Sequence, residues 1–517
     1  MSHGLALAAV VLVLLGIGCT PAAGQRGEID ARIASNEPFT WDPAHAADAG
    51  TASVLAQVFE GLTAFDAQSN VQPGLAAAWE PANDGRQITF QLRPGLAYSD
   101  GTPIAAQDVV DSWLRLIDPG RPSPLASLLA DVEGAVDYQN GLIGREFVGV
   151  RADGDAVIVD LRRPATYFLA VTASPSLAVV PPSMFGQLDT RPPTVVSGAY
   201  LPTTAEPGRI HLSANASYWA GAAPLDEIEL LTDFGGRSGV DLFSSGEVDY
   251  TGISSADASW IQYDRTLGAQ LRSAESFSVT YYGFDTTAAP FDDARVRLAI
   301  ARAVDWRRMV TLADGVVATS IVPVGVPGRG TDDHVPTFDP DAARDLLTQA
   351  GYPNGEGFPE VILATYGVGF EQTVATQLED NLGVSVSVEG RDFQGYLEQV
   401  GVSIAPHMWT LSWIADYPHP HDFLGLLLET GSGNNIGGWS NPEYDALIEQ
   451  AAATADPAEQ AVFYARAQQI LETAVPVVPV TYGEAWALGR EGLLGALQSG
   501  VGFIRYAGLD WAPGSGR

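Results

Sequence analysis

Residues 73–113 read P-G-L-A-A-A-W-E-P-A-N-D-G-R-Q-I-T-F-Q-L-R-P-G-L-A-Y-S-D-G-T-P-I-A-A-Q-D-V-V-D-S-W. Two short β-type runs, 87–92 and 95–98, lie among three turn signals: Asn83-Asp84-Gly85, Arg93-Pro94-Gly95 and Ser99-Asp100-Gly101. Gly, Asn and Asp supply the left-handed backbone that tight reversals need. Thr102-Pro103 then marks a helix start, because proline is pre-set for the first helical turn, and an amphipathic segment runs on through Val110 and Trp113.

Outward from this stretch, strand and helix signals alternate. Residues 28–34 predict an opening strand and Asp42-Pro43 a turn. Residues 47–62 predict a helix with Leu55, Val58, Phe59 and Leu62 on one face. Strands are predicted at 157–161, 227–231 and 278–284, with a late one at 477–482. Helices are predicted at 295–303, 341–350, 444–453 and 459–471. Asp292-Asp293 sit where the first of these has its positive dipole end. Pro340 and Gly351 bracket the second. Hairpin-like pieces interrupt the alternation, so the fold class is α/β to α+β with mixed sheets. A chain of 517 residues exceeds what one core holds, and two or three packed lobes are expected.

The charge balance excludes one class of partner. There are 62 acidic residues against 27 basic ones, all arginine, for a net charge of −35. A duplex binder needs a basic footprint, so nucleic acid is not a partner. Residues 5–17 are almost wholly apolar and end just before Cys19, the single cysteine. That run is too short to span a bilayer but fits the apolar region of a signal peptide, here 1–18. The segment resembles a bacterial lipobox, which implies that Cys19 is acylated and becomes the mature N-terminus. Residues 19–27 are then a flexible tether and the protein is anchored at a membrane surface. Gly16 stands where such boxes usually have Leu, and the residues before the apolar run carry no Arg or Lys. The alternative is a cleaved signal with an incidental cysteine. With one cysteine no internal disulfide forms.

Several further motifs follow in a fixed order. They are Gln57-Val58-Phe59-Glu60-Gly61-Leu62, Val196-Ser197-Gly198-Ala199-Tyr200, and the run from Phe284 to Arg297, F-D-T-T-A-A-P-F-D-D-A-R-V-R. Then come Phe338-Asp339-Pro340-Asp341, Ala350-Gly351-Tyr352-Pro353-Asn354-Gly355, Trp413-Ile414-Ala415-Asp416-Tyr417-Pro418 and Ser440-Asn441-Pro442-Glu443-Tyr444-Asp445. With residues 73–113, this series resembles the family 5 solute-binding proteins of ABC transporters, the oligopeptide- and dipeptide-binding group, over nearly the whole mature chain. Ser197 and Ala199 depart from that family's G-T-G-P-Y element. The resemblance implies a two-lobed, periplasmic-binding-protein-like fold with an extra subdomain inserted in the first lobe. Lobe I comprises 28–65, 191–289 and 477–517, the insert 66–190, and lobe II 290–476. It further implies a monomeric extracytoplasmic receptor that closes on a peptide by hinge motion and hands it to a membrane permease, without a cofactor and without catalysis.

The resemblance also implies that Asp416 meets the α-ammonium of a bound peptide. A carboxylate in a closed cleft needs an opposite charge and hydrogen bonds, and an ammonium supplies both. Taken by itself, Ala415-Asp416-Tyr417-Pro418 equally fits a capping aspartate at a turn. Trp413 is either a wall of a side-chain pocket or core filling. Ser412 to Ile414 are expected to offer backbone groups to an extended peptide, with Tyr417 beside them. Glu60, Tyr281 and Tyr282 are weaker candidates on the first lobe. His419 and His421 flank Pro420 with Asp422 next, a run that binds metals in other settings, but a loop is the simpler account and no metal is expected. His45, His334 and His407 read as structural or surface residues. Two alternatives stay open: the same architecture with an oligosaccharide or nickel as ligand, and a secreted hydrolase. The hydrolase lacks a G-x-S-x-G elbow, and a chain without lysine has no P-loop.

Overall fold

The computed structural model describes residues 29–46, 48–66, 68–188, 191–392, 395–396, 408–496 and 500–515. The segment read as a signal peptide, Cys19, the 19–27 tether and His407 lie outside the described residues.

Two long antiparallel strands organise the chain. Leu271–Phe284 pairs with Val477–Gly489, from Leu271 opposite Leu488 to Gly283 opposite Val477. The ladder is interrupted between Glu275 and Val279. On one side of the interruption, residues 278–284 take Met408–Ile414 as an antiparallel neighbour, and Val361–Thr365 and Val386–Gly390 follow in parallel. On the other side, residues 486–489 pair with Tyr250–Ile253. Ala31–Ala34 and Glu227–Leu231 come next, then the antiparallel strands Arg209–Ala214 and Tyr200–Glu206. Among the described residues these strands form one eleven-stranded mixed sheet, its two halves joined through the long pair.

Each half has its own core. Tyr282, Phe291, Ile300, Leu347, Leu363 and Val374 are buried together in one. Ile33, Leu55, Phe59, Tyr200, Leu212 and Ile228 are buried together in the other. The long strands run further than the sequence predicts, which had them at 278–284 and 477–482. Ser276, Ser278, Gly483 and Glu484 break the apolar pattern where the ladder shifts register.

A separate four-stranded antiparallel sheet, ordered Ala76–Ala82, Gln87–Leu92, Ala156–Asp160, Val150–Asp153, carries the 73–113 stretch. Its first strand is alanine-rich, mostly exposed and holds Pro81, which an edge strand tolerates; those features hid it from the sequence reading. Residues 95–98 form a single bridge, Ala97 to Pro103, and not the predicted strand. The helix begins at Ala106 and not at Pro103. The reason is local: Tyr98 N–H donates to Thr102 O and Ile104 N–H to Leu96 O, so a reversal uses the backbone before a helix can start. Trp113 is fully buried and its indole donates to Leu177 O at 2.9 Å.

The helix predicted over 47–62 spans Ala49–Val58, because Phe59 turns extended. Gly198 packs against that turn. A Cβ there would lie 2.6 Å from Gln57 O and 2.6 Å from the Val58 carbonyl carbon, which is why a glycine fills this position.

Candidate ligand-binding site

Met408–Ile414 ends where the two halves of the sheet meet. Ala415 N–H donates to Phe277 O at 2.8 Å, and Phe277 N–H donates to Gly500 O at 2.7 Å. Phe277 itself lies in the interruption of the long ladder. Asp416 therefore stands beside the joint of the molecule.

The strand leading to it has one edge partly open. Val361–Thr365 pairs with it only at Met408 and Trp409, and the Thr410 carbonyl accepts from the Tyr396 hydroxyl. Among the described residues, 411–414 have no strand partner on that edge. Ser412 is exposed; its hydroxyl meets Thr280 Oγ1 at 2.7 Å and accepts from Tyr366 OH at 2.8 Å. Ile414 is 52% exposed, unusual for a large apolar side chain next to a core.

The Asp416 carboxyl has no hydrogen bond or ion pair among the described residues. Burial pushes it up to about 6. The nearest acid is Asp422, in the first turn of the helix Pro420–Leu428 and fully buried. Its Oδ2 accepts from Trp413 Nε1–H at 2.8 Å and its Oδ1 from Asp416 N–H at 3.2 Å. Burial, and then the charge of Asp416, push Asp422 well above the carboxylate range. Trp413 is thus half-buried and oriented by a hydrogen bond.

Tyr417 and the histidines pack behind this pair. Tyr417 OH meets His421 Nδ1 at 2.9 Å, and His421 stacks on Tyr167 with ring centroids 3.6 Å apart. His419 caps the helix, taking the His421 N–H, and meets Gln460 Oε1 at 3.2 Å. Burial lowers His419 to about 4 and His421 well below its ordinary value, so both are neutral near pH 7. Among the described residues, no group of three or more His, Cys, Asp or Glu is arranged to hold a metal.

The remaining candidates lie elsewhere. Glu60 is buried, accepts from Tyr218 OH at 2.7 Å and pairs with Arg505 at 2.6 Å. It lines a separate cavity of about 460 Å³ with Phe65, Trp219 and Phe503. Tyr281 is buried opposite Leu411, and Tyr282 is buried against Trp306, 5.1 Å between rings. His334 meets Glu472 at 2.8 Å and His45 lies 3.4 Å from Asp42. Ser412, Trp413, Ile414 and Asp416 are brought together, and Asp422 joins them. The sequence signal for Asp422 was an acid six residues after Asp416, which the H-x-H-D pattern had drawn toward metals.

Residues 70–435 match the model of the family described as bacterial extracellular solute-binding proteins, family 5 Middle. The chain belongs to this family. Among relatives of this family 5 chain, the oligopeptide-binding protein OppA of Bacillus subtilis (strain 168) is 26% identical over 96% of both chains. The periplasmic murein peptide-binding protein MppA of Escherichia coli K12 is 28% identical over 93% of this chain and 94% of its own. A probable deoxycholate-binding periplasmic protein, YgiS of the same organism, is 29% identical over 86% of both. The unliganded open form of the murein tripeptide-binding protein MppA superposes with a TM-score of 0.77 at 26% identity, covering 93% of this chain and 96% of that one. The Haemophilus influenzae OppA complex with RPPGFSPFR shares the fold, with a TM-score of 0.75 at 23% identity, covering 93% of this chain and 98% of that one. The family 5 chain thus has the two-lobed fold that its motifs imply. No helix among the described residues is long and apolar enough to cross a membrane.

Proposed function

We propose that this chain is the extracytoplasmic receptor of an ABC importer. It captures oligopeptides between its two lobes and delivers them to the permease without chemistry on them. One observation carries the reading: the half-buried carboxylate of Asp416, with no cation beside it among the described residues, stands at the end of a strand whose 411–414 edge has no strand partner among them. An α-ammonium satisfies that carboxylate by charge and hydrogen bonding. The peptide backbone extends along the free edge as an added strand, which is indifferent to side chains. Trp413 forms one wall of the first side-chain pocket. Deoxycholate, the ligand in the name of one relative, is an anion and would meet Asp416 with like charge, so the Asp416 environment favours peptides.

Its lobes are 28–65, 191–289 and 477–517 as lobe I, 66–190 as the insert of lobe I, and 290–476 as lobe II, linked through the long strand pair. The receptor acts as a monomer held at the membrane through acylated Cys19. Metabolic labelling with a fatty acid tests the anchor, and unlabelled mature protein overturns it. The function is tested by native mass spectrometry of the purified protein followed by calorimetry with unblocked and N-acetylated peptides. Tight binding of unblocked peptides alone supports the reading. Equal binding of both sinks the role of Asp416, and binding of neither sinks the peptide reading.

A further inference from the structure

The hydrogen bonds of Asp422 go beyond packing. Its two oxygens take the Trp413 indole at 2.8 Å and the Asp416 amide at 3.2 Å, so one side chain sets both the pocket wall and the backbone that carries the ammonium-binding acid. The residue is fully buried, and no arginine or histidine forms an ion pair with it or with Asp416 among the described residues. Two neighbouring carboxyls, Asp422 fully buried and Asp416 half-buried, with no cation beside them among the described residues, oppose each other's ionisation.

The surroundings reinforce this. Tyr417 follows Asp416, and Tyr167, Asp131 and Arg163 reach Tyr417 and His421 from the segment packed over them. His419 and His421 lie on the helix that carries Asp422, with Tyr464 and Glu429 behind. The Arg163 charge is already engaged by Asp131 and Glu429 at 2.9 and 2.6 Å, and both histidines are neutral near pH 7. None of these groups supplies a compensating positive charge.

We propose that Asp422 is the positioning residue of the ligand's ammonium site, and that Asp416 and Asp422 hold one proton between them in the empty receptor, which an incoming ammonium displaces. This rests on the peptide reading of Asp416. Binding then runs as an exchange: the receptor's carboxyl O–H gives its proton to water or buffer, and the ligand's N–H groups take its place against the carboxylates. The pair selects ligands with a positively charged terminus, because a neutral or acylated terminus cannot drive the proton out. The sign is fixed by linkage. A ligand that favours the ionised pair lowers its proton affinity, so binding releases a proton and tightens as pH rises. Where a full proton is released, affinity rises about tenfold per pH unit.

The test is calorimetry with alanine peptides of about three to five residues. They are titrated between pH 5 and pH 8 in two buffers of different ionisation enthalpy, against the parent and Asp422→Asn. For the parent, release of close to one proton is expected in the lower part of this range, fading toward pH 8. In Asp422→Asn the like charge is gone, so the linked window moves at least one pH unit toward acid, and affinity at pH 7 falls by roughly tenfold as Trp413 and the Asp416 amide lose their anchor. Near-ultraviolet circular dichroism reports whether Trp413 has moved. Peptide binding by the parent without proton release overturns this inference and leaves the peptide reading standing. An unchanged proton count and window in Asp422→Asn overturns it as well. No binding of any peptide by the folded parent sinks the peptide reading and this inference with it.

Discussion

Arg163 and Glu429, 266 positions apart, meet at 2.6 Å and tie the segment after the small sheet to the helices that follow Asp416. Arg163 also bonds Asp131 Oδ1 at 2.9 Å, and Tyr167 donates to the same carboxyl while stacking on His421. Burial raises the Asp131 carboxyl, but the Arg163 guanidinium, the Tyr167 hydroxyl and nearby charges hold it below its usual range. The Arg163 and Glu429 side chains are only 20% and 19% exposed, so removing Glu429 takes one of two acids from a largely buried guanidinium that Asp131 still holds. Glu429→Gln is expected to lower the unfolding free energy by about 1.5 kcal/mol, the loss of one charged hydrogen bond. A urea titration measures it; a change below about 0.5 kcal/mol refutes the account.

Asp416→Asn leaves the shape of the site and removes its charge. Affinity for peptides with a free N-terminus should drop by about 3 kcal/mol, roughly a hundredfold in Kd. Affinity for N-acetylated peptides should change little. Isothermal titration of the two peptide forms separates these outcomes.

His419 is neutral in the fold, lowered by burial to about 4 from an ordinary value of 6.5. The unfolded chain therefore binds more protons between those values. Its contribution is fully present above pH 6.5 and is lost as pH falls toward 4. Asp416, raised to about 6, works in the opposite sense over part of that range, so the parent's profile alone is ambiguous. The informative measurement is the difference between parent and His419→Gln in denaturation midpoint, from pH 7 to pH 4. That difference should shift in favour of the variant as the solution becomes more acid, and a constant difference would contradict the burial argument.

Gly198→Ala should destabilise by about 1–3 kcal/mol, because the atoms nearest the added methyl are backbone and cannot swing away. Alanine at Gly252, where nothing lies within 4 Å of a Cβ, is the matched control. Equal denaturation midpoints for the two variants would count against the packing explanation.

Periodic segments were legible in the sequence, and long-range geometry was not. Residues 227–231 were read with correct ends because an apolar run bounded by turns has one solution there. Ala76–Ala82 was invisible because its side chains face water and follow no alternation. The long strands were cut short where serine, glycine and glutamate enter at the ladder shift. At the site, Asp416 was recognisable from its motif, whereas its relation to Asp422 depends on a turn that brings an acid back under the strand end. The pairing of Glu60 with Arg505, 445 positions away, leaves no local signature at all.

The central position of Val477–Gly489 has a consequence for how the chain is made. It lies between Leu271–Phe284 and Tyr250–Ile253 in the middle of the sheet, yet it is made after every other described strand of that sheet. Until it arrives, both halves carry an unfilled interior groove with raw strand edges, the kind of surface that invites pairing with other chains. The sheet stays open until that strand emerges, which suits passage in an unfolded form better than early folding.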